Sequence, residues 1–209
     1  MRWSGFLAAV VACSWLAGSA SVHNEPVNEP AHGSVVDQLH LGFKEVADED
    51  DLLIGLAFSG GGTRAAAFSF GVLSEFDRIP VPRGSDKLID RLDFISSVSG
   101  GSVTAAYYGL RKKAALADFR EKFLLKNAEE GIETSLSLAT MGRALGGGIN
   151  DSHALTQWLD RNLFHGATYG DFRAVGPPRV WINASDIYNR VPFVFGATAF
   201  TAICSDLTK

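Results

Sequence analysis

Two short runs of this 209-residue chain carry serine and glycine in patterns suited to nucleophilic chemistry. In Phe94-Ile95-Ser96-Ser97-Val98-Ser99-Gly100-Gly101-Ser102, an apolar, strand-like stretch breaks abruptly into a serine followed by two glycines. A serine hydroxyl is a poor nucleophile until a tight strand-to-helix turn lifts it into the open, beside a base and beside backbone donors for the developing oxyanion. Ser99 fits that position. The usual elbow reads G-x-S-x-G. Here Ser97 replaces the first glycine, a mild change because that position needs only a small residue, and Gly100 and Gly101 free the backbone behind the serine. Taken alone, the run also describes an ordinary strand-turn-helix junction.

A second run stands one strand earlier. Asp51-Leu52-Leu53-Ile54-Gly55-Leu56-Ala57-Phe58 reads as a buried strand entering Ser59-Gly60-Gly61-Gly62-Thr63-Arg64, and an apolar, helix-like segment follows over residues 65–73. Three glycines between a strand and a helix let amide groups point outward together at the positive end of a helix dipole, which suits an anion. That anion is a phosphate or the oxyanion of an acyl-transfer intermediate, and a serine elbow one strand later favours the second. A dinucleotide site on Gly60-x-Gly62-x-x-Ala65 would need an acidic residue at the end of the next strand, which ends instead in Ser96, Ser97 and Ser99. A purely structural glycine turn is the plain alternative. No Gly-Lys-Ser/Thr follows, so a P-loop is excluded.

Ser-Gly-Gly-Gly-Thr-Arg-Ala at 59–65, followed by Ser-x-Ser-Gly-Gly-Ser at 97–102, resembles the patatin-like phospholipases and the related cytosolic phospholipase A2 group. The two motifs in this order are far more specific than either alone, and the resemblance spans residues 51–209. It implies Ser99 as nucleophile, Gly60, Gly61 and Gly62 as the oxyanion hole, Arg64 as a residue steadying that loop, and lipid or phospholipid esters as substrate. It also implies an aspartate partner in place of histidine. Two departures stand out. Ser59 occupies a position where plant patatins carry aspartate. The family's Asp-Gly-Gly or Asp-Gly-Ala motif is missing, since the chain has no Asp-Gly pair; by resemblance the catalytic aspartate is expected beyond Lys209, in a longer natural chain.

The elements that must position these groups follow from pattern. The first helix should stop near Ile79-Pro80-Val81-Pro82, and a turn at Arg83-Gly84-Ser85-Asp86 leads to the elbow strand. Residues 103–113 read as the helix beneath Ser99, with Tyr107 and Tyr108 as core or pocket wall. Residues 116–126 have apolar positions at helical spacing and a charged, solvated face. Residues 134–149, apolar and rich in glycine, suit a mobile flap over a lipid site or a plain connector. A helix over 153–163 has Asp151 or Ser152 as its cap. Residues 179–186 and 191–195 read as two strands joined by a Tyr188-Asn189-Arg190 turn. Asp186, at a strand end with no glycine after it, suits a turn better than a catalytic base. His153 and His165 are the only histidines after the leader; His165, following Asp151 and Asp160, can meet the order Ser, Asp, His of a triad, but neither histidine has a distinctive setting. This order predicts a three-layer α/β/α fold, patatin-like, with a largely parallel central sheet and both motifs at the carboxyl ends of their strands.

A net charge of -4 and 46% hydrophobic residues describe a globular chain with no basic stripe for nucleic acid. No His/Cys/carboxylate cluster calls for a metal, and no cofactor is expected. Residues 1–20 read as a secretory signal, cleaved after Ala20; alternatively Val10-Val11-Ala12-Cys13 forms a lipobox that would make Cys13 the lipidated first residue. A polar leader over 21–50 follows. Cys204 then stands alone, and no structural disulfide is expected. The expectation is a secreted, periplasmic or envelope-anchored serine acyl hydrolase meeting its lipid at a membrane surface. The rival is a catalytically incomplete lipid-binding remnant.

Overall fold

The computed structural model describes residues 53–81, 86–127 and 152–205. They fall into two units, residues 27–127 with 160–209 and residues 1–26 with 128–159, each taken by itself. The expected signal, leader, Cys13, glycine-rich flap and Asp151 cap lie outside the described residues.

The larger unit is built on one four-stranded sheet: β1 (Ile54–Phe58), β2 (Leu92–Val98), β3 (Arg179–Asp186) and β4 (Val191–Phe195), in spatial order β1-β2-β3-β4. The first three run parallel, and β4 returns antiparallel along β3. A largely parallel α/β sheet, as expected, is therefore what the chain adopts. Register sets the faces, because paired residues of neighbouring strands point the same way. Leu56, Ile95 and Val180 share one face; Ala57, Ser96 and Trp181 share the other. Phe94 lies over Gly55, where a Cβ would enter its ring, and meets Trp181 in a tilted pair at 5.1 Å between centroids.

Helix α1 (Gly62–Phe76) follows β1 and α2 (Gly100–Arg111) follows β2. Helix α2 begins three residues earlier than its pattern suggests, because the elbow turn itself supplies the residue before its first turn. It packs on β1, β2, β3 and α1. Closeness to the sheet comes from small residues one turn apart on a single face, Gly101, Ala105 and Gly109. At one end of that row a Cβ on Gly101 would lie 2.8 Å from Phe58, and at the other a Cβ on Gly109 would lie 2.6 Å from Val180.

Helix α3 (Ala114–Phe119) runs on into a π-helical turn, Arg120–Leu124. Here Phe119 joins Phe70, Tyr107 and Phe123 in an aromatic cluster with centroids 5.3 to 5.6 Å apart. Tyr107 is fully buried, its hydroxyl donating to Asp118 at 2.9 Å, so the two tyrosines belong to the core as expected. Helix α4 (Ser152–Leu159) belongs to the smaller unit, and a π-helical turn, Asp160–Phe164, opens the next segment of the larger one. Two further helices, α5 (Tyr169–Val175) and α6 (Ala197–Ala202), have no counterpart in the sequence reading. Both are short, seven and six residues, so their apolar period has too few repeats to stand out. The Tyr169 hydroxyl lies 2.8 Å from the Val180 carbonyl and 2.5 Å from that of Phe195, fastening β3 to β4 at the base of their hairpin.

Candidate active site

Ser99 is the single residue between β2 and α2, with φ 53° and ψ −124°. An L-residue avoids that region, which costs roughly 1–3 kcal/mol and survives only where the surroundings over-determine it. The surroundings do so here. The Ser102 amide donates to the Ser99 carbonyl at 2.8 Å, closing the turn. A Cβ on Gly100 would overlap the carbonyl oxygen of Gly62, and one on Gly101 would lie 2.7 Å from that of Ser59. The glycine loop therefore rests directly on the first turn of α2. Both motifs occupy one place, and the Ser99 side chain faces solvent.

Gly60 faces the serine, since a Cβ built on it would lie 3.2 Å from the Ser99 Cβ. Gly61 and Gly62 have φ of 137° and 63°, values that only glycine adopts freely. Among the described residues, no hydrogen bond takes up the N–H groups of Gly60, Gly61 or Gly62. Three amides with no hydrogen bond among the described residues thus stand at the start of the 15-residue α1, where a helix dipole suits negative charge.

Hydrogen bonds from β3 hold the elbow strand. Ser97 Oγ donates to the Trp181 carbonyl at 3.1 Å. Asn183, in register with Val98, donates through Nδ2 to Ser96 Oγ at 2.9 Å and to the Ser97 carbonyl at 3.0 Å. On the helical side, Thr104 Oγ1 donates to the Ala66 carbonyl at 2.9 Å and ties α2 to α1. The sequence reading passed over Asn183; its signal is a lone amide after the apolar run Val180-Trp181-Ile182.

A family model described as patatin-like phospholipase matches residues 56–203, from β1 to just past α6. The chain belongs to that family. No curated protein and no solved structure matched in the corresponding searches. The patatin match spans both motifs in the order the sequence presents them, and the family is in general one of lipid acyl hydrolases.

Within the patatin domain, none of the other candidate groups is hydrogen-bonded to Ser99 among the described residues. Arg64 is exposed in the first turn of α1 and has no hydrogen bond or ion pair among the described residues. Asp186 caps the turn after β3: Oδ1 accepts from the amides of Tyr188 at 2.9 Å and Asn189 at 3.0 Å, and Oδ2 from Asn189 Nδ2 at 2.6 Å. The side-chain and backbone bonds from Asn189 hold its carboxyl below the usual range. This is the turn role expected of it. His165 is exposed at φ 51°, beyond a turn whose Phe164 packs against Tyr107, two helical turns along α2 from Ser99. The His153 side chain lies outside the described residues. Among the described residues there is no group of three metal-binding side chains and no helix long and apolar enough to cross a membrane.

Proposed function

We propose that the chain hydrolyses lipid or phospholipid esters through an acyl-enzyme on Ser99. The observation that supports this reading is the close approach of Gly60 to Ser99, with the Ser99 side chain exposed and the Gly60, Gly61 and Gly62 amides unbonded among the described residues. Ser99 Oγ attacks the ester carbonyl, and the Gly60, Gly61 and Gly62 amides stabilise the oxyanion that forms. Collapse releases the alcohol, and water attacking the acyl-serine releases the fatty acid. The resemblance assigns Arg64 the steadying of that loop, although it makes no hydrogen bond or ion pair there among the described residues. The signal-like residues 1–20 fit an exported or envelope-anchored hydrolase.

The test is covalent labelling with a fluorophosphonate, which bonds to activated serines, together with hydrolysis of a soluble short-chain ester. An adduct mapped to Ser99, and loss of both adduct and turnover in Ser99→Ala, are expected. Retained turnover in that variant would sink the assignment. One observation favours a second reading, lipid binding without cleavage: no carboxylate or imidazole among the described residues is hydrogen-bonded to Ser99 Oγ. Lipid binding with no adduct, unchanged in Ser99→Ala, would select it.

A further inference from the structure

The turn joining β3 to β4 presents large apolar side chains to water at the edge of the sheet that carries Ser99. Ile187 is 89% exposed and Tyr188 91%. Because β2 and β3 are parallel and Val98 is in register with Asn183, both strands point toward this edge. Each strand residue advances about 3.3 Å, so Asp186 stands roughly 10 Å past the level of Val98, and the turn projects further still. The turn is held in shape rather than loose. Asp186 accepts three hydrogen bonds from Tyr188 and Asn189, and Tyr169 fastens the hairpin at its base. Arg190 completes it at φ 57°, exposed and without an ion pair among the described residues. The Asp186 carboxylate is turned inward on the loop's own amides, leaving the guanidinium as the tip's outward charge.

We propose that this hairpin tip is the surface by which the domain docks on a lipid interface, with Ile187 and Tyr188 entering the headgroup-acyl boundary and Arg190 pairing with anionic phosphate headgroups. An aliphatic residue, an amphipathic aromatic and a cation on one preformed projection match the layers of a bilayer surface in depth order. Val98, immediately before the elbow, is also 44% exposed. The inference rests on lipid being the substrate class and adds the residues that hold the enzyme against it.

The experiment uses the full chain as Ser99→Ala, so that the vesicles are not consumed, and measures co-sedimentation with phosphatidylcholine vesicles with and without phosphatidylglycerol. Replacing Ile187 and Tyr188 together by serine should lower partitioning at least tenfold, on the order expected for withdrawing two large apolar groups from the interface. Arg190→Gln should weaken binding severalfold on the anionic vesicles only. Both side chains are almost fully exposed, so an unchanged denaturation midpoint is expected and confirms folded protein. Partitioning that survives the double substitution overturns the proposal, as does failure of the parent to bind either vesicle. A change in sedimentation mass with vesicle binding unaltered also overturns it, by assigning the tip to a second copy of the chain. Soluble-ester hydrolysis by the same hairpin variants with Ser99 restored reads the chemistry separately. Loss of partitioning with no Ser99 adduct would uphold the docking surface while removing the acyl-enzyme.

Discussion

The backbone strain at Ser99 and its exposed side chain make the residue separable into a chemical and a conformational role. Ser99→Gly keeps the turn, removes the nucleophile and relieves a conformation glycine adopts freely. Set against roughly 0.5–1 kcal/mol for glycine's extra chain entropy, relief of about 1–3 kcal/mol leaves the variant about 1 kcal/mol more stable and inactive. A urea titration checks this, and a lower midpoint would mean that the turn stores no strain. The elbow turn at Ser99 was legible in the sequence because it is a local pattern, an apolar run followed by serine and glycine. The tie from Asn183 to Ser96 and the Ser97 carbonyl was not, since it joins positions 86 or more residues apart.

Where β1, α1, β2 and α2 meet, two glycines that look alike in sequence have opposite consequences. Gly100→Ala sets a Cβ against the Gly62 carbonyl, backbone on backbone, so the glycine loop must shift. A loss of about 3 kcal/mol is expected, with the oxyanion donors displaced as well. Gly71→Ala, in the exposed interior of α1 with nothing within 4 Å of the new Cβ, should instead gain up to about 1 kcal/mol from helix propensity. Equal effects in thermal unfolding would contradict the interlocked loop and elbow. At the far end of α2, Lys112 donates to the Gly176 carbonyl at 2.7 Å after α5, and burial lowers its ammonium to about 8 from 10.5. Between those values the unfolded chain binds more protons than the folded one, so stability contributed by this group rises as pH climbs from about 8 toward 10.5. Below pH 8 both states are protonated and the group adds no slope. The carbonyl bond favours the charged form and the side chain is only half-buried, so the rise is modest. Denaturant midpoints measured across this window should lose the rise in Lys112→Met; an identical slope would show that Lys112 is not its source.

Across the whole molecule, stability should grade outward from β2, the strand flanked on both sides and packed beneath α2, to the hairpin tip. Ile95 is fully buried and Ser97 1% exposed, whereas Ile187 and Tyr188 are open to water. Hydrogen exchange should therefore be slowest in Leu92–Val98 and fastest over residues 187–190, the difference spanning from global unfolding to local opening. Uniform protection would refute this gradient. The sequence by itself determined the α/β class, all four strands, and the order of glycine loop before serine elbow, because strand periodicity, apolar runs and glycine turns are properties of neighbouring residues. It also assigned Asp186 a turn role, since an aspartate at a strand end with no glycine after it commonly caps the turn that follows. What only the tertiary structure decided was which groups meet across chain distance. The Gly62 carbonyl lies against Gly100, leaving the loop amides unbonded beside Ser99. The Lys112 ammonium meets Gly176, and an exposed hairpin tip lies at the edge of the sheet that holds the nucleophile. Those meetings depend on strand register and on how closely small residues let α2 approach the sheet, and neither is encoded in any one stretch of the chain.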